Sequence, residues 1–365
     1  MCVMGFCHRF RWLIPFEIAA ARSCPPPARF GCMENIMIRR FLALFVAAAA
    51  VATAVRSNAD MIYAVSNNDG RIIRYDSANP SGSVVTLSGS GAIESAAGLA
   101  LGPDGNLYIG ESGDFSTIAP AIRRFDLTSN TLSTVYTFAE FDVFPGSLAF
   151  KGNDLLVGRN PFFVDTGAVV KLANATGVSP TLSNYTSGFS LSSSPGLALG
   201  SDGALYVSSM SYDYFSGIAS GSVVKFDASG AYLNEAIAGG SSNGLFGPTG
   251  LGIRGSSLYT ASIMSGSVLT TDLLTGSTSL FGQTGVPFGA SPLAMLSDGG
   301  LIVGSAGGAG AIYRFDAAGN LVDTFNSGLG TVGGVVAVPE PSTAVAAAIG
   351  IAAAAWMRRR RIAGS

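Results

Sequence analysis

Apolar residues in this chain come in short runs separated by Asp/Gly turns, and the order of runs repeats. Gly98-Leu99-Ala100-Leu101 is followed by a turn, Pro103-Asp104-Gly105-Asn106, and then by Leu107-Tyr108-Ile109. A longer loop leads to Ile122-Arg123-Arg124-Phe125-Asp126 and a last run from Leu132 to Phe138. Each run has the length of a strand and is bounded by turn residues, which argues for sheet and against helix. Further copies start at Ser147-Leu148-Ala149-Phe150, Gly196-Leu197-Ala198-Leu199, Gly250-Leu251-Gly252-Ile253 and Pro292-Leu293-Ala294-Met295. With Leu99, Leu148, Leu197, Leu251 and Leu293 as equivalents, the spacings are 49, 49, 54 and 42 residues. Four short strands in a repeat of this length predict the blade of a β-propeller.

The ends of the repeat set the blade count. The runs Met61 to Val65, Arg71 to Asp76 and Val84 to Leu87 match the second, third and fourth strands of a blade whose first strand is missing. That strand reappears as Gly334-Val335-Val336-Ala337-Val338. Ring closure follows, because an open ring would leave two unpaired sheet edges. The fold class is therefore all-β, a six-bladed β-propeller over residues 60–338 closed by its C-terminal strand. Five third strands end in Asp (Asp76, Asp126, Asp227, Asp272, Asp316), while the blade containing Val169-Val170-Lys171-Leu172 has Ala173 there. Aspartates before turns cap turn backbone, and that is the role expected of them.

Loop lengths distinguish the two faces. In an up-and-down blade, the first-to-second and third-to-fourth turns share a face, and both are short Asp/Gly turns here. The opposite face receives the loops Gly110 to Ala121, Arg159 to Gly167 and Tyr212 to Gly221, which carry Phe115, Phe162, Phe163, Tyr212, Tyr214 and Phe215. Flat rings on a rigid scaffold suit stacking on sugar rings, so this face is expected to contact polysaccharide, or else the rings pack on one another to stabilise the loops. A metal reading rests on Glu94, Glu111, Asp114, Asp165 and Asp213, whose hard carboxylate oxygens suit calcium but lack the spacing of a known loop motif.

The phrases Gly-Leu-Ala-Leu, Pro-Asp-Gly-Asn-Leu-Tyr and Arg-Phe-Asp resemble NHL-type propellers and the gluconolactonase-like superfamily. That superfamily implies a divalent cation held in the central channel by Glu, Asn and Asp from inner-strand ends. Glu94 matches in place, but Phe144-Pro145, Ser194-Pro195, Pro248-Thr249 and Ser291-Pro292 stand where the partners would be. The expected activity is accordingly non-catalytic. A calcium-dependent lactonase and an envelope protein-interaction scaffold are the alternatives.

Both ends of the chain carry targeting patterns. Met37-Ile38-Arg39-Arg40 and the apolar run Phe41 to Val55 have the charged and hydrophobic regions of a secretory signal helix. Ser57-Asn58-Ala59 offers the cleavage site, which makes residues 37–59 a signal peptide and Asp60 the mature N-terminus. Residues 1–36 fit neither signal nor domain, and translation is expected to begin at Met33 or Met37. At the other end, Val338-Pro339-Glu340-Pro341-Ser342 precedes an Ala-rich run from Thr343 to Met357 and then Arg358, Arg359, Arg360 and Arg361. A fifteen-residue helix covers about 22 Å, short of the roughly 30 Å hydrocarbon core, and arginines stay on the cytoplasmic side. Residues 339–365 resemble the PEP-CTERM tail of Gram-negative bacteria. The resemblance implies an exosortase-type enzyme as partner, processing near Pro339, Glu340 and Pro341, transient contact with the inner membrane, and a destination in the envelope or exopolysaccharide matrix.

Composition then narrows the chemistry. All four cysteines (Cys2, Cys7, Cys24, Cys32) and the single histidine (His8) precede Asp60. The body therefore has no disulfide framework, no Ser-His-Asp or Cys-His nucleophile, and no His or Cys for zinc. It holds ten Lys/Arg against twenty Asp/Glu, a net charge near −10, with no basic cluster. Nucleic acid is excluded as a partner on that balance. No cofactor is called for beyond the calcium considered above.

Overall fold

The computed structural model describes residues 60–80, 84–88, 92–114, 116–139, 143–161, 167–193, 195–213, 218–239, 244–307 and 310–339. The expected signal helix and C-terminal apolar helix lie outside these residues. Within them the chain forms strands β1 (Asp60–Ser66), β2 (Ile72–Asp76) and β3 (Val85–Ser88), then five complete four-stranded units. These are β4 (Ala96–Leu101), β5 (Leu107–Glu111), β6 (Ala121–Asp126) and β7 (Thr131–Thr137); β8 (Val143–Lys151), β9 (Asp154–Pro161), β10 (Ala168–Ala173) and β11 (Thr181–Asn184); and β12 (Leu197–Leu199), β13 (Leu205–Asp213), β14 (Ile218–Phe226) and β15 (Tyr232–Ile237). The last two are β16 (Pro248–Arg254), β17 (Ser257–Ser262), β18 (Ser267–Asp272) and β19 (Thr278–Gln283), and β20 (Leu293–Met295), β21 (Leu301–Gly304), β22 (Ala311–Phe315) and β23 (Leu321–Asn326), before β24 (Val332–Pro339).

Six four-stranded sheets result, and the sheet order β24-β1-β2-β3 closes the ring as expected. The pairing of β24 with β1 is antiparallel, from Ser66↔Val332 to Asp60↔Pro339. The inner strands touch in the cycle β24, β4, β8, β12, β16, β20 and back to β24. This is the six-bladed propeller that the repeat predicted.

Alternation along each strand explains how the blades cohere. Successive side chains point to opposite faces of a sheet. In β5, Leu107 and Ile109 join a buried cluster with Tyr63, Val65 and Ile72 of the first blade, while Tyr108 joins one with Leu148, Leu155 and Val157 of the third. Six such clusters fill the six blade-to-blade interfaces. The first blade shares its core with the sixth through Ile62, Ile73, Phe325 and Val335. Near the axis, backbone crowding selects glycine: a Cβ on Gly333 would lie 2.0 Å from the Ala96 carbonyl oxygen of the next inner strand.

Two details depart from expectation. The propeller was expected to end at residue 338 and the tail to begin at Pro339, yet Pro339 makes the last register pair of β24 with Asp60. The innermost strand is an edge of its sheet, where a residue without an N–H is tolerated. Tyr212 and Asp213, expected in a loop, extend β13, paired with Ala219 and Ile218 of β14.

Candidate binding face

The short-turn face is committed to holding the fold. Each predicted capping aspartate accepts backbone N–H groups of its own turn: Asp76 from Ala78 at 2.7 Å, Asp126 from Thr128 and Ser129, Asp227 from Ser229 and Ala231, Asp272 from Leu274, and Asp316 from Ala318 and Asn320. In the blade lacking that aspartate, Asp154 reaches across from the neighbouring turn and accepts the Asn174 N–H at 2.9 Å. Carboxylates of the first-to-second turns pair with basic residues of the third strand, Asp104 with Arg124 at 3.1 Å and Asp298 with Arg314 at 2.8 Å. Burial works against ionised Asp104, but hydrogen bonds from Asn106 and Tyr108 and the Arg124 charge outweigh it and hold its carboxyl below the usual range. Neighbouring blades are laced together here as well. Arg254 donates to the carbonyls of Leu296, Gly299 and Gly300 in the next blade, and Ser297 N–H donates to Asp60 Oδ2 at 2.7 Å.

On the opposite face, the loops entering five of the six inner strands are tied down by a residue in or just after the second strand of the blade. Ser209 Oγ accepts the Ser192 N–H at 3.1 Å, Ser262 Oγ accepts the Phe246 N–H at 2.9 Å, and the hydroxyls of Ser66 and Ser305 donate to the carbonyls of Leu329 and Phe288. Glu111 occupies the same position in the second blade and does the same work. Its Oε1 accepts the Glu94 N–H at 2.7 Å, and its Oε2 pairs with Arg123 at 3.2 Å. Glu111 is 4% exposed and is a buried structural member, whereas the Glu94 side chain is exposed. The shared position of Ser66, Glu111, Ser209, Ser262 and Ser305, four residues after Ile62, Leu107, Leu205, Leu258 and Leu301, is the signal that identifies this role.

Asp114 folds its own loop. Its Oδ1 accepts the N–H groups of Ser116, Thr117 and Ile118, and its Oδ2 accepts the Thr117 hydroxyl. The Thr117 hydroxyl and the three N–H donors hold its carboxyl far below the usual carboxylate range. Among the described residues, no three of His, Cys, Asp and Glu gather in a metal-holding group. Asp165 lies outside those residues, and of Asp213 only the backbone is described.

The aromatic residues expected on this face divide likewise. Phe115, Phe162, Phe163, Tyr214 and Phe215 lie outside the described residues, and Tyr212 contributes its strand backbone. The structure adds Phe288, which lies between a fourth and a first strand, outside the second-to-third loops that carry the expected aromatics. Phe288 is 41% exposed and has φ 60°, in the left-handed region that few non-glycine residues occupy. Its N–H donates to the Ile263 carbonyl at 2.7 Å, and its carbonyl accepts from Ala306 N–H, Gly307 N–H and Ser305 Oγ. The loops of two adjacent blades thus pin its backbone while part of the ring faces solvent. The local sequence Val286-Pro287-Phe288-Gly289, an aromatic set between Pro and Gly, was the available cue.

Residues 337–361 match the family described as the PEP-CTERM protein-sorting motif. The chain carries a PEP-CTERM sorting tail. Export across the inner membrane, processing by an exosortase, and a place at the cell surface or outside the cell follow from that tail. Its matched region begins inside the propeller, since Ala337, Val338 and Pro339 belong to β24. No curated protein matches the PEP-CTERM chain in sequence. Its fold is similar to a chain in the crystal structure of a nidogen/laminin complex, with TM-score 0.59 and 14% identity over 77% of this chain and 98% of that one. A putative 6-phosphogluconolactonase from Bacteroides uniformis is also similar, with TM-score 0.50 and 17% identity over 74% and 84% of the two chains. At these identities the likeness is one of propeller architecture.

Proposed function

We propose that this PEP-CTERM propeller is a non-catalytic binding component of the exopolysaccharide matrix, and that its long-loop face takes the glycan. The observation that carries the reading is Phe288, a part-exposed ring on a backbone held in a disfavoured conformation by four hydrogen bonds from two blades. Strain of this kind costs on the order of 1–3 kcal/mol and persists where surrounding structure over-determines it, commonly at functional positions. A flat apolar ring in a fixed orientation suits the apolar face of a pyranose. Supporting it, the carboxylates of the short-turn face and Glu111 and Asp114 on the other are occupied by caps and ion pairs, which favours binding over acid/base chemistry.

The test is retention of the purified protein on immobilised exopolysaccharide from its host. Phe288→Ala is expected to lose retention with little change in melting temperature, and Tyr212→Ala run in parallel reports on the β13–β14 connection of the same face. Unchanged retention by folded Phe288→Ala would remove the ring from the binding face. Turnover of a lactone by the wild-type protein with added calcium would replace the binding reading with the hydrolytic one.

A further inference from the structure

The sorting tail and the ring-closing strand share residues. The matched motif begins at Ala337, whereas β24 runs to Pro339 and is paired along its length with β1. Inner strands run from the long-loop face to the short-turn face, so β24 delivers Pro339 to the short-turn face, at the level of the Gly102–Asn106 and Leu296–Gly300 turns. The partner of Pro339 in the register is Asp60, the expected mature N-terminus. Both routes out of the propeller therefore leave from one place on one face.

Distances decide whether the tail could serve the other face. Between Pro339 and Thr343, where the apolar run starts, lie only Glu340, Pro341 and Ser342. Four extended steps cover at most about 14 Å. The eight residues of β24 measure the thickness of the ring, about 26 Å at the strand rise per residue. A tether of that reach cannot pass from the short-turn face round to the long-loop face without unzipping β24. Unzipping would remove Val332 and Val335 from the core shared by the first and sixth blades, and Val336 and Val338 from the flank of the core shared by the first and second.

We infer that the short-turn face is the anchored face of the membrane-held precursor, and that closing the ring turns the long-loop face, with Phe288, away from the membrane. The committed hydrogen bonding of the short-turn face accords with that division: its carboxylates cap and staple, and the opposite face carries the long loops. This inference rests on the sorting reading of the tail and not on glycan binding.

Single-cysteine labelling of the full chain in membranes of its host tests it, because residues 60–365 contain no cysteine of their own. Ser116→Cys lies in the β5–β6 loop of the long-loop face and Ser129→Cys in the β6–β7 turn of the short-turn face, and both serines are exposed. The wild-type chain supplies the background from the four leader cysteines. With a bulky polymer-maleimide, Ser116→Cys is expected to label at the same rate in membranes as after solubilisation. Ser129→Cys is expected to label several-fold more slowly in membranes and to recover on solubilisation. Equal labelling of the two variants in the membrane-held chain, or faster labelling of Ser129→Cys, overturns the orientation. A precursor that never enters the membrane fraction overturns the sorting reading itself, and the inference with it.

Discussion

Removing the Glu111 carboxylate separates a structural role from a metal-binding one. Glu111→Ala deletes the acceptor for the Glu94 N–H and the partner of Arg123, whose side chains are 5% and 25% exposed for Glu111 and Arg123 respectively. Breaking a buried ion pair from one side costs about 3–5 kcal/mol, and the quarter-exposed Arg123 recovers some hydration, which places the loss near the lower end, about 3 kcal/mol. Glu111→Gln keeps the shape and the carbonyl oxygen facing Glu94 but removes the charge. The retained bond to the backbone is worth about 1–1.5 kcal/mol, so this variant should lose only about half as much. For a domain of this size each kcal/mol moves the melting temperature by about 2 °C, and the two variants should fall about 6 °C and 3 °C below wild type. Thermal unfolding followed by circular dichroism reads both values, in chelator and in added calcium. Equal losses in the two variants would show that the loop tie contributes nothing. Two neutral variants whose wild-type melting point rises with calcium would refute the structural account and return Glu111 to the metal ligands.

The axis and the turn aspartates give two further expectations. Gly333→Ala places a Cβ 2.0 Å from the Ala96 carbonyl oxygen where β24 meets β4, and overpacking of this kind costs about 1–3 kcal/mol or more, readable as a lower denaturant midpoint with loosened ring closure. Asp104, Asp114, Asp126, Asp227 and Asp316 all have carboxyls held below the ordinary aspartate value of 3.8, so the unfolded chain binds more protons and their stabilisation, present above about pH 4, is lost as pH falls further. At the alkaline end, burial first, then Asp104, push the Tyr108 phenol from 10.0 up to about 12, so its contribution is present below pH 10 and lost on rising through about pH 12. A melting temperature flat between pH 4 and pH 2 would contradict the capping roles.

The blade count, the closure by the C-terminal strand and the capping aspartates were legible in the sequence, because each depends on local pattern: apolar runs of strand length, Asp/Gly turns and a missing first strand regained at the far end. The roles of Glu111 and Asp114 were not. Both are acids in loops of the expected face, and their type alone suits calcium as well as it suits a hydrogen bond to backbone. What decides is the distance from Glu111 Oε1 to the N–H of Glu94, seventeen residues earlier, which only the packed blade sets. Phe288 was not legible for a related reason, since its loop is a fourth-to-first connection and the expected aromatics lie in second-to-third ones.

By itself, then, the sequence determined the architecture and the destination of this protein, since strand periodicity and the tail motif are read along the chain. The tertiary structure alone decided which acids are spent on stability, where Phe288 is held, and from which face the tail departs. Those depend on pairing and packing between residues far apart in the chain, such as Asp60 with Pro339, and no local pattern encodes a contact that exists only when the ring is closed.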